Sequence, residues 1–98
     1  MEIKLQIQAT DESRSAVERL ARENLDKKLK SYLNKFDRED VVGNISIKID
    51  KDKKGLFVGK LQISIDGHNY YYEREDYKNL DDLVNNLFDH FKLDLSSK

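Results

Sequence analysis

The sequence predicts an α+β domain, a two-layer sandwich with the element order β-α-β-β-β-α. Residues near the start of the chain and between positions 45 and 65 alternate apolar and polar side chains, as half-buried strands do. Two longer segments repeat apolar residues every three or four positions, which is typical of helices with one buried face. The dipeptide Asp66-Gly67 favours a two-residue hairpin turn between the last two strands.

The first strand is predicted from Ile3, Leu5 and Ile7, which alternate with polar side chains. A long helix follows from about Arg14 to Phe36. Ser13 is the expected N-cap, with Ser15 and Glu18 spaced as in a capping box. The apolar positions of this helix are Ala16, Val17, Leu20, Ala21, Leu25, Leu29, Tyr32, Leu33 and Phe36. Because this stripe drifts around the helix, either the far end projects past the sheet or the helix bends near Asn24.

The second and third strands are predicted around Ile45–Ile49 and over Leu56–Ile65, joined by a polar turn that ends in Gly55. Gly59 faces the core, where a helix can approach closely or a bulge can form. A type I′ turn at Asp66-Gly67 sets the pairs of the last hairpin. These pairs are Ile65 with His68, Ile63 with Tyr70, and Leu61 with Tyr72, which leaves Tyr71 beside Gln62 on the opposite face.

The last helix is predicted over Asp76–Lys92, because its apolar residues form one continuous stripe. That stripe contains Tyr77, Leu80, Leu83, Val84, Leu87, Phe88 and Phe91. We expect one domain over residues 1–93, with residues 94–98 as a frayed tail. The simplest sheet has the strand order 1-2-3-4, with strand 1 parallel to strand 2 and the other neighbours antiparallel. Both helices should cover the same face, because every strand has one apolar and one polar side.

Composition limits the classes of function. The chain has 98 residues, a formal net charge of −1 and no cysteine, so disulfides and thiolate chemistry are excluded. No apolar run approaches the length of a membrane span, and the alternating first strand is unlike a secretory signal. Residues 12–36 carry seven basic and four acidic side chains, whereas residues 76–94 carry two basic and five acidic ones. The first helix is therefore locally basic and the last one acidic.

No pattern in the sequence indicates catalysis. His68 and His90 have no companion at metal-ligand spacing, and Asp81-Asp82 is typical of a solvated acidic pair. The scattered glycines form no phosphate-binding loop. We therefore expect a protein that is not an enzyme, with no cofactor, metal or small-molecule substrate. Tyr70 and Tyr72 are expected in the core, which leaves Tyr71 as the one exposed tyrosine of its strand available for base stacking.

Two motifs and the order of elements resemble a known family. Gly67-x-x-Tyr70-x-Tyr72 leads into the last helix, which begins Asp76-Tyr77-x-x-Leu80-Asp81-x-Leu83-Val84-x-x-Leu87. The first helix contributes Ala16-Val17, Lys28-Leu29 and Phe36-Asp37. With these features the chain resembles the ribosome hibernation promoting factors, also called ribosome-associated inhibitors or sigma-54 modulation proteins, in their short single-domain form. The resemblance covers almost the whole chain.

The resemblance implies a cytoplasmic, non-enzymatic stress-response factor that binds the small ribosomal subunit and its 16S-type rRNA. It would occupy the mRNA and tRNA channel and inhibit translation. The rRNA-binding residues that the resemblance implies are Arg19, Lys27, Lys28, Lys30 and Lys35 on the first helix, and Lys78 and Lys92 on the last. Family positions that are basic on the last helix fall on Asn86, Asp89, Lys92 and Leu93 here, and only Lys92 is basic.

Two alternatives remain open. A divergent member of the same fold, with its acidic last helix, would bind a protein or a second copy of itself instead of the ribosome. A small-molecule or metal-dependent activity is the third hypothesis. No membrane partner is expected.

Overall fold

The computed structural model describes residues 1–36 and 38–96, and the side chain of Lys35 lies outside that description. The first strand, β1 (Glu2–Gln8), leads into α1 (Asp11–Glu23), a π-helical stretch (Asn24–Leu29), α2 (Lys30–Leu33) and a 3-10 turn (Asn34–Phe36). These four helical pieces follow one another without a break, and we call them the first helical segment. The strands β2 (Val42–Lys51), β3 (Phe57–Ile65) and β4 (His68–Tyr77) come next, and α3 (Leu80–Ser96) follows them.

The sheet has the predicted topology. Its strand order is β1-β2-β3-β4, with β1 parallel to β2 and the other pairs antiparallel. The first helical segment and α3 both contribute to the single core on one face of the sheet. The predicted α+β class, the strand order and the placement of both helices are confirmed.

The last hairpin has the predicted register. Leu61 pairs with Tyr72, Ile63 with Tyr70, and Ile65 with His68. Asp66 and Gly67 both have positive φ angles, 48° and 79°, as a type I′ turn requires. The ring of Tyr70 packs edge-on against Phe91, with 5.1 Å between the ring centroids. Tyr71 lies opposite Gln62 and is 56% exposed, so the predicted division of the three tyrosines is confirmed.

The core lies between the two central strands and the helices. Its largest buried side chains on α3 are Leu83, Leu87, Phe88, Phe91 and Leu95, and on the sheet Ile47, Ile49, Leu61, Ile63 and Ile65. The apolar side chains of β1 are only half-buried, because β1 is an edge strand. Burial is therefore complete over the middle of the sheet and partial along its β1 edge.

The π-helical stretch explains the drift of the apolar stripe. Buried residues of the first helical segment step from Val17 to Leu20, Ala21 and Asn24, and then by five positions to Leu29. A π-turn accommodates this five-residue step and returns the stripe to the core. Leu33 and Phe36 are buried as well, so a far end that projects past the sheet is the wrong alternative.

The predicted start of this helix is wrong. The helix begins at Asp11, and the N-cap residue is Thr10, whose carbonyl accepts hydrogen bonds from the Ser13 and Arg14 amides. Ser13 and Ser15 therefore lie inside the first turns. Glu18, expected in a capping box, instead pairs with Arg22.

Both predicted ends of the last helix are also wrong. β4 continues to Tyr77, which pairs with Phe57, and α3 begins only at Leu80. The register shift places Glu75 and Asp76 opposite Val58 as a β-bulge, with Asp76 at a φ of 65°. At the other end α3 includes residues 94–96, because Leu95 extends the apolar stripe and is only 2% exposed. Of the expected tail, only Ser97 and Lys98 lie outside the described residues.

Gly59 permits the close contact between β3 and α3. A methyl group there would come within 3.0 Å of Leu83 Cδ2 and 3.1 Å of Ile49 Cδ1. We expect Gly59→Ala to lower the free energy of unfolding by about 1–2 kcal/mol, because overpacking of a filled core is destabilising. Urea unfolding measures the change. Lys60→Ala, on the exposed side of the same strand, is the control and should shift stability by less than about 0.5 kcal/mol. A Gly59→Ala variant as stable as the parent chain would contradict this packing.

Tyr72 makes stability depend on pH in the alkaline range. Its burial, and the hydrogen bond that its hydroxyl donates to Asp94, raise the pKa of the phenol above its ordinary value of about 10. The protonated phenol therefore contributes stability that is complete below pH ~10 and is lost as the pH rises further.

We expect Tyr72→Phe to lower the free energy of unfolding at pH 7 by about 1 kcal/mol, through loss of this hydrogen bond. The difference from the parent chain should shrink above pH ~10. Denaturant unfolding at a series of pH values tests both points, with the exposed Tyr71→Phe as the control at pH 7. A difference that stays constant to pH 11 would refute the assignment.

Candidate nucleic-acid interface

Among the described side chains, three contacts of polar or charged groups join the first helical segment to α3. Asn24 Nδ2 donates to Asn85 Oδ1 at 2.9 Å, Lys28 Nζ lies 3.3 Å from Asp89 Oδ1, and Lys92 Nζ lies over the Tyr32 ring, 5.6 Å from its centroid. We call these contacts the interhelical ladder. Each contact lies three or four residues beyond the previous one on both helices, so the helices run parallel and side by side. Their solvent-facing sides form one continuous surface, which we call the helix layer surface.

Asn24 is the buried end of the ladder. It is 2% exposed, and its Nδ2 also donates to the Leu20 carbonyl at 2.8 Å. Its Oδ1 is buried without a hydrogen-bond partner among the described residues. An amide placed among apolar side chains is satisfied only when its partner lies opposite, so the Asn24–Asn85 contact favours one alignment of the two helices. The π-helical stretch begins at this residue.

Of the predicted cations that are exposed on the first helical segment, Lys30 lines a cavity beside β1, whereas Arg19 and Lys27 lie on the solvent-facing side. They are eight residues apart, about two helical turns, and so lie near the same side. The Arg19 side chain is 57% exposed and lies 3.3 Å from Glu23 Oε1, one turn further along the same segment. Exposed pairs of this kind contribute less than about 1 kcal/mol, so Arg19 can exchange its carboxylate for a phosphate at low cost.

Lys28 and Lys92 lie in the groove between the helices. Lys28 is 40% exposed and faces Asp89, and Lys92 is half-buried against Tyr32. Asp89 occupies a position that is basic in the family the chain resembles, and its carboxylate by itself would repel a phosphate. The Lys28 ammonium compensates its charge, and Lys28 is in turn less available to any other anion.

The remaining predicted cations lie elsewhere. Lys30 lines a cavity of about 390 Å³ between the first helical segment and β1. Lys78 lies in the connection that precedes α3, so its predicted place on the last helix is wrong. The side chain of Lys35 is outside the described residues. The structure thus brings Arg19 and Lys27 together on one side and Lys28 and Lys92 in the groove, but it does not gather all seven residues.

Arg74 is a cation of this region that the sequence reasoning missed. Its Nε donates to Asn86 Oδ1 on α3 at 3.2 Å. A guanidinium therefore lies beside Asn86, a position that is basic in the family this chain resembles. The signal was available in the sequence. Tyr70, Tyr72 and Arg74 alternate along β4, and Arg74 pairs with Gly59, which faces the helices.

The open face of the sheet is a weaker candidate. Two of its lysines lie near carboxylates, with Lys48 Nζ 3.9 Å from Asp50 and Lys60 Nζ 3.7 Å from Glu73, and Lys4 is exposed on the same face. Tyr71 donates its hydroxyl to Glu73 at 2.9 Å, and this hydrogen bond is the main cause of a raised pKa for that phenol. An anion approaching this face meets a carboxylate beside Lys48, Lys60 and Tyr71. The helix layer surface is the better candidate because four of the residues that the resemblance implies lie on it, Arg19, Lys27, Lys28 and Lys92, and none of the implied residues lies on the open face.

Two other kinds of site are absent from the part of the chain that the structure describes. In 1–36 and 38–96, no three His, Asp or Glu side chains cluster closely enough to hold a metal ion. Within these ranges, no helix combines the length and apolar character needed to cross a bilayer.

The fold is shared with a protein of known structure. The crystal structure of the Thermus thermophilus Protein Y N-terminal domain matches 97% of this chain and 96% of its own, with a TM-score of 0.54 and 19% sequence identity. At this identity the match shows a common fold. No protein-family model matches the chain, and no curated protein matches it.

Proposed function

We propose that this chain is a cytoplasmic, non-enzymatic dormancy factor that binds the small ribosomal subunit. It occupies the mRNA and tRNA channel, contacts 16S-type rRNA through its helix layer surface, and inhibits translation by excluding both ligands. The observation that carries the proposal is the fold shared along nearly the full length with the Protein Y domain. The exposed cations Arg19 and Lys27 on that surface support it.

The contacts to rRNA are assigned by exposure. Arg19 and Lys27 bind phosphates directly, because both are solvated and paired at most weakly. Lys28 and Lys92 line the groove. Lys28 binds RNA when a phosphate replaces the Asp89 carboxylate beside it, and Lys92 when a phosphate approaches its ammonium over the Tyr32 ring. Lys35 and Lys78 are assigned to rRNA by the resemblance alone, and Lys30, which lines the cavity beside β1, lies apart from the helix layer surface.

A second candidate function is that of a protein-binding or self-associating module without ribosome binding. The exposed acids of α3 favour it: Asp81, Asp82 and Asp89 all lie on the surface, and α3 has no basic residue in its last turn. A partner for this helix would be basic. Failure to bind purified small subunits at low salt would make this the better assignment.

Co-sedimentation with purified small ribosomal subunits tests the proposal. The chain should sediment with the subunits at about 50 mM salt and dissociate as salt increases, because each bound phosphate releases counterions. We expect Arg19→Glu together with Lys27→Glu to weaken binding at least tenfold at fixed salt. The dependence of log K on log salt should become shallower by about one for each phosphate that the variant no longer binds.

The matched control is Lys53→Glu together with Lys54→Glu. It makes the same change in net charge in the exposed turn between β2 and β3. Because Lys53 and Lys54 lie in a connection between strands and not on either helix, the control should lose affinity only through the general change in charge. Equal loss in both double variants would contradict the assigned surface, and no binding of the parent chain at low salt would contradict the function.

Asp89 provides a test in the opposite direction. Asp89→Asn removes the carboxylate that holds Lys28, so the ammonium becomes available and the local repulsion of phosphate disappears. We expect the affinity for small subunits to increase by about three- to tenfold, measured by the same sedimentation assay. The control is Asp50→Asn on the open sheet face, which should leave affinity within about twofold. Unchanged affinity of the Asp89 variant would mean that RNA does not contact the groove.

A further inference from the structure

The β1 edge of the sheet is open and regular. Glu2 donates its amide to the Val41 carbonyl, so the even-numbered residues of β1 bond to β2. The N–H and C=O groups of Ile3, Leu5 and Ile7 therefore point away from the sheet. The other edge, β4, is interrupted by the bulge at Glu75 and Asp76, which discourages pairing with a further strand. The register of β1 with β2 runs without a shift.

The apolar surface beside this edge is incompletely covered. Ile3, Leu5 and Ile7 point toward the core but are only half-buried. The cavity of about 390 Å³ opens beside Ile3, with Leu25 and Leu33 in its lining. An added strand and the helix above it would bury this apolar surface. The corresponding side chains of the central strands are already buried within the chain itself.

A row of alternating charges borders the same edge. Glu18, Arg22, Asp26 and Lys30 lie four residues apart along the first helical segment, and the last three line the cavity together with Met1 and Ile3. The row reads minus, plus, minus, plus. An antiparallel copy of such a row meets opposite charges at every position when its two-fold axis passes between Arg22 and Asp26.

We propose that a second copy of this chain binds at the β1 edge, with its β1 antiparallel to the first and a two-fold axis at Leu5. Leu5 then pairs with Leu5, and Ile3 of each copy pairs with Ile7 of the other, through about six N–H···O bonds. This register overlaps all of β1 and places Lys4 opposite Gln6. A shift that centres the pair on Lys4 would put the two lysines opposite each other.

The same axis aligns the charged rows. Five residues of strand separate Leu5 from Thr10, a length of about 16 Å. The helix then runs back over the strand and covers the same length in about eleven residues, so the axis at Leu5 passes the helix near Arg22. Within one turn of that point lies the alignment in which Arg22 of each copy faces Asp26 of the other and Glu18 faces Lys30. The dimer thus joins two four-stranded sheets into one and leaves Arg19 and Lys27 exposed. It does not depend on ribosome binding.

Charge exchange tests this interface. Sedimentation velocity up to about 1 mM chain should show a reversible dimer. Arg22→Asp creates two contacts between like charges per dimer, so we expect the dissociation constant to rise at least about tenfold. The double variant Arg22→Asp with Asp26→Arg restores opposite charges and should return the constant to within about threefold of the parent. Lys53→Asp, with the same change in net charge as the single variant, is the matched control.

Amide hydrogen exchange supplies an independent readout. As the dimer forms, the amides of Ile3, Leu5 and Ile7 should exchange more slowly, and circular dichroism shows whether each variant is folded. A chain that stays monomeric at about 1 mM would overturn the proposal and leave the edge to a strand of another protein. A dissociation constant that Arg22→Asp leaves unchanged, or that the double variant does not restore, would overturn the proposal as well.

Discussion

The side-by-side packing of two parallel helices determines what each charged residue of the helix layer can do. The interhelical ladder sets this packing through a buried amide pair, an ion pair and a cation over a ring. It depends in turn on the π-helical stretch, because a five-residue step is needed for Asn24 and Leu29 to be buried together. With a regular α-helix throughout, Lys28 and Tyr32 would rotate away from α3.

Much of the fold was predictable because the relevant signals are local. Alternation identified the strands, and Asp66-Gly67 fixed the register of the last hairpin, since the turn determines which residues face each other. Tyr77 was misassigned because an apolar residue at that position fits both the stripe of a helix and the end of a strand. Tyr77 belongs to β4 because it pairs with Phe57 beyond a bulge, and no local sequence pattern indicates that bulge. Leu95 fits the helical stripe and was missed at the end of the chain.

The candidate site was less predictable, because it depends on how two distant helices are rotated. The exposure of Arg19 and Lys27 follows from the period of one helix alone. The contact of Lys28 with Asp89 joins residues 61 positions apart, and it appears only when both helices lie on the sheet. This contact lowers the repulsion that the acidic last helix would exert on a polyanion. The most adverse carboxylate of that helix is compensated within the protein, so a basic first segment and an acidic α3 are compatible with one polyanion-binding surface.

Directed RNA cleavage distinguishes rRNA contact at the helix layer surface from contact at the open sheet face. The chain has no cysteine, so single cysteines at Glu23 on the helix layer and Ser64 on the sheet can each carry a tethered iron chelate that cleaves nearby RNA. When these proteins bind small subunits, we expect strong cleavage of the channel rRNA from position 23 and much weaker cleavage from position 64. Strong cleavage from position 64 with none from position 23 would contradict it.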